Sequence, residues 1–262
     1  MENKDSFGYS KKTTTAIYYE KPSSSNPFMA ESVHLHGYNV LELAQKKSFV
    51  DVLLLLFTGE LPDENAVELM NALMVGFINP GPRNPAVRAA MTAGISKSNT
   101  PHLLPIGLLT LGGKEGGAEE IEQSMKSIQE SFLSGNEIFC MSKLLASPEG
   151  ADIKLVPGFG SSYGQRCIVT HELAQLLNQL PGAGKYLHWL NKQILHFNNE
   201  KVGWLPVGLS SAVFLDLGIQ PREGIALFQI IYSPGISVQA LEQTHKPISS
   251  MPFLEDSQYE LK

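Results

Sequence analysis

Along most of this chain apolar side chains recur three and four residues apart, the spacing that gathers them on one face of an α-helix. "NVLELAQKKSFVDVLLLLFTG" carries Val40, Leu41 and Leu43, then Phe49, Val52, Leu53 and Leu56. The pattern predicts two helices with a short break, the second closed by Gly59 as its C-cap. "ELPDENAVELMNALMVGF" sets Pro62 and Asp63 ahead of a stripe at Ala66, Leu69, Leu73 and Phe77, which predicts a capped helix. "NPAVRAAMTAGIS", "HLLPIGLLTLGG" and "GAEEIEQSMKSIQESFLSG" extend the series. In the last, Ile121, Met125, Ile128 and Phe132 share a face, with Glu119, Glu120, Lys126 and Glu130 elsewhere. "IVTHELAQLLNQL", "KYLHWLNKQILHF", "GLSSAVFLDLG" and "REGIALFQIIYSPGISVQALEQ" read as amphipathic or fully buried helices, punctuated by Pro181-Gly182, Pro221 and Pro234-Gly235. Strand signals are scarce and no internal repeat is present. The predicted fold class is all-α, a multi-helix protein.

Composition narrows the partners. The chain has 262 residues, 43% of them hydrophobic, enough to bury a large core. Twenty Lys and Arg against 26 Asp and Glu give a net charge of -6 and no basic field for a phosphate backbone, so no nucleic-acid partner is expected. Cys140 and Cys167 stand alone without CxxC spacing, which predicts buried or free thiols in a reducing compartment and no metal. The first residues carry lysines without a following apolar stretch, unlike a secretory signal. The most apolar run, from Val50 to Gly59, falls well short of the roughly 20 residues that span a bilayer. A cytoplasmic protein with no membrane partner is expected.

Four stretches, in order from about Thr13 to about Glu242, resemble the citrate synthase superfamily, above all its short branch of citryl-CoA lyase and the C-terminal module of ATP citrate lyase. "HGYNVLELAQKKSFVDVLLLLFTGELP" is similar to the family's "RGYDIxEL…SFxEVxxLLLxGELP", and "GLLTLGGKEGGAEE" to its "GLLTIG…FGGA". "LVPGFG" resembles the turn "PGFGHR", and "PVGLSSAVFLDLGI" resembles "NVDGLIGVAFVDML". The resemblance implies an almost wholly helical fold with a large and a small domain, working as a homodimer. It divides the chain into an N-terminal arm at 1–30, a first part of the large domain at 31–150, small-domain and closing helices at 151–245 and a tail at 246–262. It implies chemistry on a carbon–carbon bond between an acetyl-CoA methyl carbon and an oxo acid. Such a step needs a carboxylate base, donors for the enol oxygen and cations for the polycarboxylate, supplied in the family by Asp, His and Arg.

At those positions this chain departs from the pattern. Ser161 and Ser162 stand where the family turn has His and Arg, Val207 stands at the family's Asp, and "NPGP" puts Pro80 at the His of "DHGP". Asp216 matches a later Asp of the same helix that is not the base, and is read as structural. Glu115 falls where citrate synthases carry a His before "GGAN" and the lyase branch a Phe; "LEQTHKPISSMPF" offers His245 and Lys246 in place of an Arg-rich segment.

The replacement candidates are therefore Glu115 as base and Ser161 as hydrogen-bond donor, with Ser162, Arg83, Arg166 and His102 as substrate contacts. Each has a plainer reading. Glu115 begins a helix, where negative charge favours the positive end of the dipole; His102 and His36 are helix-start or surface histidines; Arg83, Arg88 and Arg166 form surface ion pairs. "HELAQLL" lacks the second His of a zinc motif and is read as a helix, while Tyr186, Leu187, Trp189 and Leu190 are read as packing. No phosphate loop, nucleophile elbow or dinucleotide fingerprint is present, so no cofactor is expected; a CoA ester is the ligand that the resemblance implies. Three functions remain open: a non-catalytic binder of a CoA ester or small acid, an enzyme of altered chemistry on a CoA thioester, and an interaction protein whose cleft is filled. The partner is a second copy of the chain or an active homologous subunit that completes a shared cleft.

Overall fold

The computed structural model describes residues 13–113, 116–139, 145–146, 153–197, 199–252 and 255–260. The chain divides into two compact units, Met1–Asp63 and Glu64–Lys262. It is 59% helical, with ten α-helices and two small sheets among the described residues, a mostly α architecture.

In the first unit, β1 (Tyr18–Pro22), β2 (Ala30–Leu35) and β3 (Tyr38–Asn39) form an antiparallel sheet in that order. β1 lies in the segment read from sequence as an arm. All five of its residues are exposed, so no alternation of apolar and polar positions announces it. Two helices follow, α1 (Val40–Lys46) and α2 (Phe49–Thr58), and the break between them is a cap. The Ser48 hydroxyl accepts the Asp51 N–H while the Asp51 carboxylate accepts the Ser48 N–H, satisfying two donors that a helix start leaves open. α2 closes at Gly59, as the pattern predicts.

The second unit runs α3 (Glu64–Phe77), α4 (Pro85–Ile95), α5 (Thr100–Leu111), α6 (Ala118–Ser134), β4 (Leu145–Ala146), β5 (Ile153–Val156), β6 (Phe159–Gly160), α7 (Ile168–Leu177), α8 (Lys185–Phe197), β7 (Gly203–Trp204), α9 (Pro206–Asp216) and α10 (Pro221–Thr244). α10 is the helix on which α4, α5 and α6 pack, burying Leu227, Phe228, Ile231, Tyr232 and Ile236. It is also the one described helix long and apolar enough to cross a membrane, and its apolar residues serve this core. Pro234 interrupts its hydrogen bonding, and the next N–H, of Gly235, donates instead to Ile78 O at 3.0 Å. Asn79, beside it, accepts Gln239 Nε2 at 2.6 Å, so the "NPGP" loop is docked on α10 at Pro234-Gly235. Lys97 Nζ donates to the carbonyls of Thr244 and Lys246 and closes the end of α10.

α9 packs on α6 and α8, and every residue from Val207 to Leu215 is buried. β4, β5, β6 and β7 form the second sheet, whose last pairing joins Phe159 to Trp204 and Gly160 to Gly203. Strands of two to four residues held by partners this far apart in sequence carry no periodic signal, which is why the sequence reads as all-α.

Candidate functional site

Two glycine-rich turns and the start of α9 meet in one assembly. The turn between β5 and β6 places Gly158 at φ +85°, backbone that favours glycine. A Cβ there would lie 2.5 Å from Gly208 Cα and 2.7 Å from Ser124 Oγ, so only glycine lets the turn rest on the first turn of α9. The Gly158 carbonyl accepts the Leu205 N–H at 3.1 Å, and its N–H donates to Glu120 Oε1 at 2.7 Å. Glu120 stands in the first turn of α6, and its other oxygen accepts the Gly116 N–H at 2.5 Å. One carboxylate thus ties Gly116, just ahead of α6, to the "LVPGFG" turn. Behind them the ring of Phe159 packs 5.1 Å from Trp204 and 5.0 Å from Phe139, fixing the turn in an aromatic cluster.

Ser161 follows directly and is 7% exposed. Its N–H donates to Ile153 O at 2.8 Å, and its Oγ accepts the Ile153 N–H at 2.6 Å. The side chain therefore closes the β5–β6 ladder, leaving its own O–H as the single donor it can offer a ligand. Ser162 is half-buried and pairs through its backbone with Gln165 across a two-residue loop. Both loop residues have positive φ, 55° at Tyr163 and 73° at Gly164, the type I′ hairpin that matches strand twist. Val207, which the motif resemblance sets at the family's Asp, is 1% exposed among the apolar residues of α9.

The remaining candidates are placed by their helices. Glu115 and Cys140 lie outside the described residues. Arg166 is half-buried, its stem against Gly203 and its charge near His171 on α7. Arg83, just before α4, and His102, in the first turn of α5, are both exposed. Their helices pack together through a short connection and so run antiparallel, with Gly107 of α5 against Ala86 and Ala90 of α4. Arg83 and His102 consequently fall at opposite ends of the pair, about 16 Å apart along an 11-residue helix. Arg83 is at the end of the pair where α5 closes at Leu111, and His102 is not. Pro80 belongs to the loop docked on α10.

Asp216 caps a helix. Its carboxylate accepts the N–H groups of Gly184, Tyr186 and Leu187 at 3.1, 2.8 and 3.0 Å at the start of α8, the structural role that sequence suggested. Burial holds this carboxyl above its ordinary range, against the pull of those three donors and His188. Tyr186, Leu187 and Leu190 are buried and Phe132 packs on Tyr186 and Trp189, as a packing cluster should. Glu120 carries the assembly yet ranks low from sequence, because its partner Gly158 is 38 residues away. Chemically, the described part of the assembly offers hydroxyl donors and rigid backbone. Its carboxylate, Glu120, has both oxygens occupied. Among the described residues no three His, Cys, Asp or Glu gather as metal ligands.

This mostly helical fold is shared with solved structures of citryl-CoA lyase, ATP citrate lyase and citrate synthase. The chain is similar to citryl-CoA lyase from Hydrogenobacter thermophilus, with 21% identity over 95% of this chain and 94% of that one and a TM-score of 0.76. It is similar to ATP citrate lyase from Methanothrix soehngenii, solved with citrate and coenzyme A, with 16% identity, a TM-score of 0.69, and 97% of this chain covering 44% of that one. Citrate synthase from Thermoplasma acidophilum matches with 16% identity over 82% of this chain and 58% of that one, at a TM-score of 0.54. No protein-family model and no curated protein sequence matches the chain. At these identities the likeness is one of fold.

Proposed function

We propose that this protein uses the citrate synthase fold to bind a CoA thioester or small carboxylate without normal citrate chemistry, as a dimeric pseudoenzyme of the cytoplasm. One observation carries the reading: Val207, which the motif resemblance sets at the family's base, is sealed in the apolar interior of α9, beside a turn whose Ser161 Oγ already accepts the Ile153 N–H. A valine accepts no proton, and a general base alone is worth about 10²–10⁴-fold in rate. Purified protein should neither form citrate from acetyl-CoA and oxaloacetate nor cleave citryl-CoA. It should show a saturable thermal shift with CoA, acetyl-CoA, oxaloacetate or citrate, since a ligand at 100 times its Kd stabilises by about 2.7 kcal/mol. Robust turnover in either assay would sink the proposal, and silence towards all four ligands would leave a cleft closed by side chains.

A second reading has one observation in its favour. Glu120 bridges Gly116, the neighbour of Glu115, to Gly158 in the other turn, which supports an altered acyl-CoA lyase or transferase with Glu115 as base. There Glu115→Gln should abolish a measured turnover while the protein stays folded; full activity in that variant eliminates the role.

A further inference from the structure

The hairpin of the first unit carries an apolar tip. In the loop between β1 and β2, Phe28 is 92% exposed and Met29 60%. The loop is nonetheless a fixed turn. The Ser23 N–H donates to Met29 O at 2.8 Å, the Met29 N–H to Asn26 O at 3.0 Å, and the Phe28 N–H to Asn26 Oδ1 at 3.0 Å. From Pro22 to Ala30 no residue is charged. A tip already ordered by its own hydrogen bonds gives up less conformational freedom when it docks, which lowers the cost of association.

The same unit carries an apolar groove of about 270 Å³, lined by Leu35, Val40, Ala44, Phe49 and Val52. Lys47 also lines it, but Lys47 Nζ lies 3.3 Å from Asp51 Oδ1, so the groove offers no unpaired cation. The tip cannot fill the groove of its own chain. Leu35 lies six residues beyond Met29 along the extended β2, about 20 Å away, and the ring of Phe28 touches almost nothing of its own chain. A second copy removes that obstacle. Under a two-fold axis, a tip and a groove set apart on one surface each meet the other's counterpart, and both pair at once. Neither surface carries net charge, so self-pairing brings no like charges together.

We propose that the Phe28 tip of one copy seats in the groove between Leu35 and Val52 of a second copy, which returns its own tip to the first. Two rings of about 150–250 Å² each, with as much groove surface covered by them, bury about 600–1,000 Å² in total, the size of a weak and reversible contact. Tip and groove include none of Ser161, Val207 and Glu120, so the contact stands whether or not the glycine-turn assembly binds anything.

The test is sedimentation of the full-length protein over a wide concentration range, with a cross-link that locates the contact. The mass should rise at least twofold from its value at high dilution. Phe28→Ser removes a ring that packs on nothing in its own chain, and should leave the melting temperature at high dilution unchanged. Burying each ring favours association by about tenfold or more, so losing both should weaken this step by about a hundredfold. Ala44→Glu, at an exposed position of α1, puts a charge in the groove and should weaken it in the same way. With p-benzoylphenylalanine in place of Phe28, irradiation of a mixture of ¹⁵N-labelled and unlabelled protein should join position 28 of one copy to the segment 35–52 of the other. A mass independent of concentration, a rise that both variants leave in place, or a cross-link that stays within one chain or falls outside 35–52 would each overturn the assignment.

Discussion

Replacing Glu120 with alanine removes the carboxylate that links the two glycine turns, and the structure lets the cost be divided. Gly158 is buried, so its N–H loses a charge-assisted bond of 2.7 Å and finds no water in exchange, a loss of about 1.5–3 kcal/mol. Gly116 is exposed, so its N–H turns to solvent for little more than about 0.5 kcal/mol. The negative charge in the first turn of α6 adds about 0.3–1 kcal/mol through the helix dipole. Glu120→Ala should therefore destabilise the protein by about 2–4.5 kcal/mol. Glu120→Gln, whose single oxygen can serve only one of the two donors, should lie between it and the unaltered protein. Urea denaturation measures the totals, and amide hydrogen exchange at Gly158 locates them, because its protection should fall in both variants. If Glu120→Ala unfolds within about 0.5 kcal/mol of the unaltered protein, with the Gly158 amide still protected, the carboxylate is not what joins the turns.

Val207→Asp puts an unpaired carboxylate at a site 1% exposed and should cost about 3–5 kcal/mol in denaturation; an unchanged midpoint would mean the position opens to water. Gly94→Ala places a Cβ 2.3 Å from the Ala240 carbonyl oxygen, forcing α4 from α10, and its Tm should fall as for an overpacked core change of about 1–3 kcal/mol; an unaltered Tm would contradict the close approach. Burial raises the Asp216 carboxyl above its ordinary 3.8, so the proton-linked part of its contribution is fullest below that pH and is lost as pH rises through the folded value, while its three hydrogen bonds remain. The stability of the unaltered protein relative to Asp216→Asn should accordingly decline over that interval, and urea midpoints that diverge in the opposite sense would refute the sign. Asp216→Ala leaves the N–H groups of Gly184, Tyr186 and Leu187 unpartnered and should cost about 2–4 kcal/mol at neutral pH, measured the same way.

The helices were legible because their information is local. Leu69, Leu73 and Phe77, or Ile121, Met125 and Ile128, repeat at helical spacing and are buried as that spacing requires. The break at Lys47-Ser48 could be read for the same reason, since a capping box spans four residues. The small sheets could not: Gly203 and Trp204 become a strand only by meeting Gly160 and Phe159. The candidate site divides along the same line. Motif order pointed to Ser161 and Val207 as altered positions, but not to the Ile153 N–H that occupies one hydroxyl or the apolar shell around the other residue.

The place of α10 has a consequence for how this chain is made. The helices that pack on it, α4, α5 and α6, all precede it, with more than a hundred residues between the end of α5 and the end of α10. A ribosome adding about 5–20 residues per second releases the apolar faces of α4 and α5 many seconds before their cover exists. The loop at Ile78 and Asn79 likewise waits for Gly235 and Gln239 to arrive. During that interval the nascent chain carries open hydrophobic surface, the kind on which holding chaperones act. Slower translation between α5 and α10 lengthens that interval, whatever the strength of the finished packing.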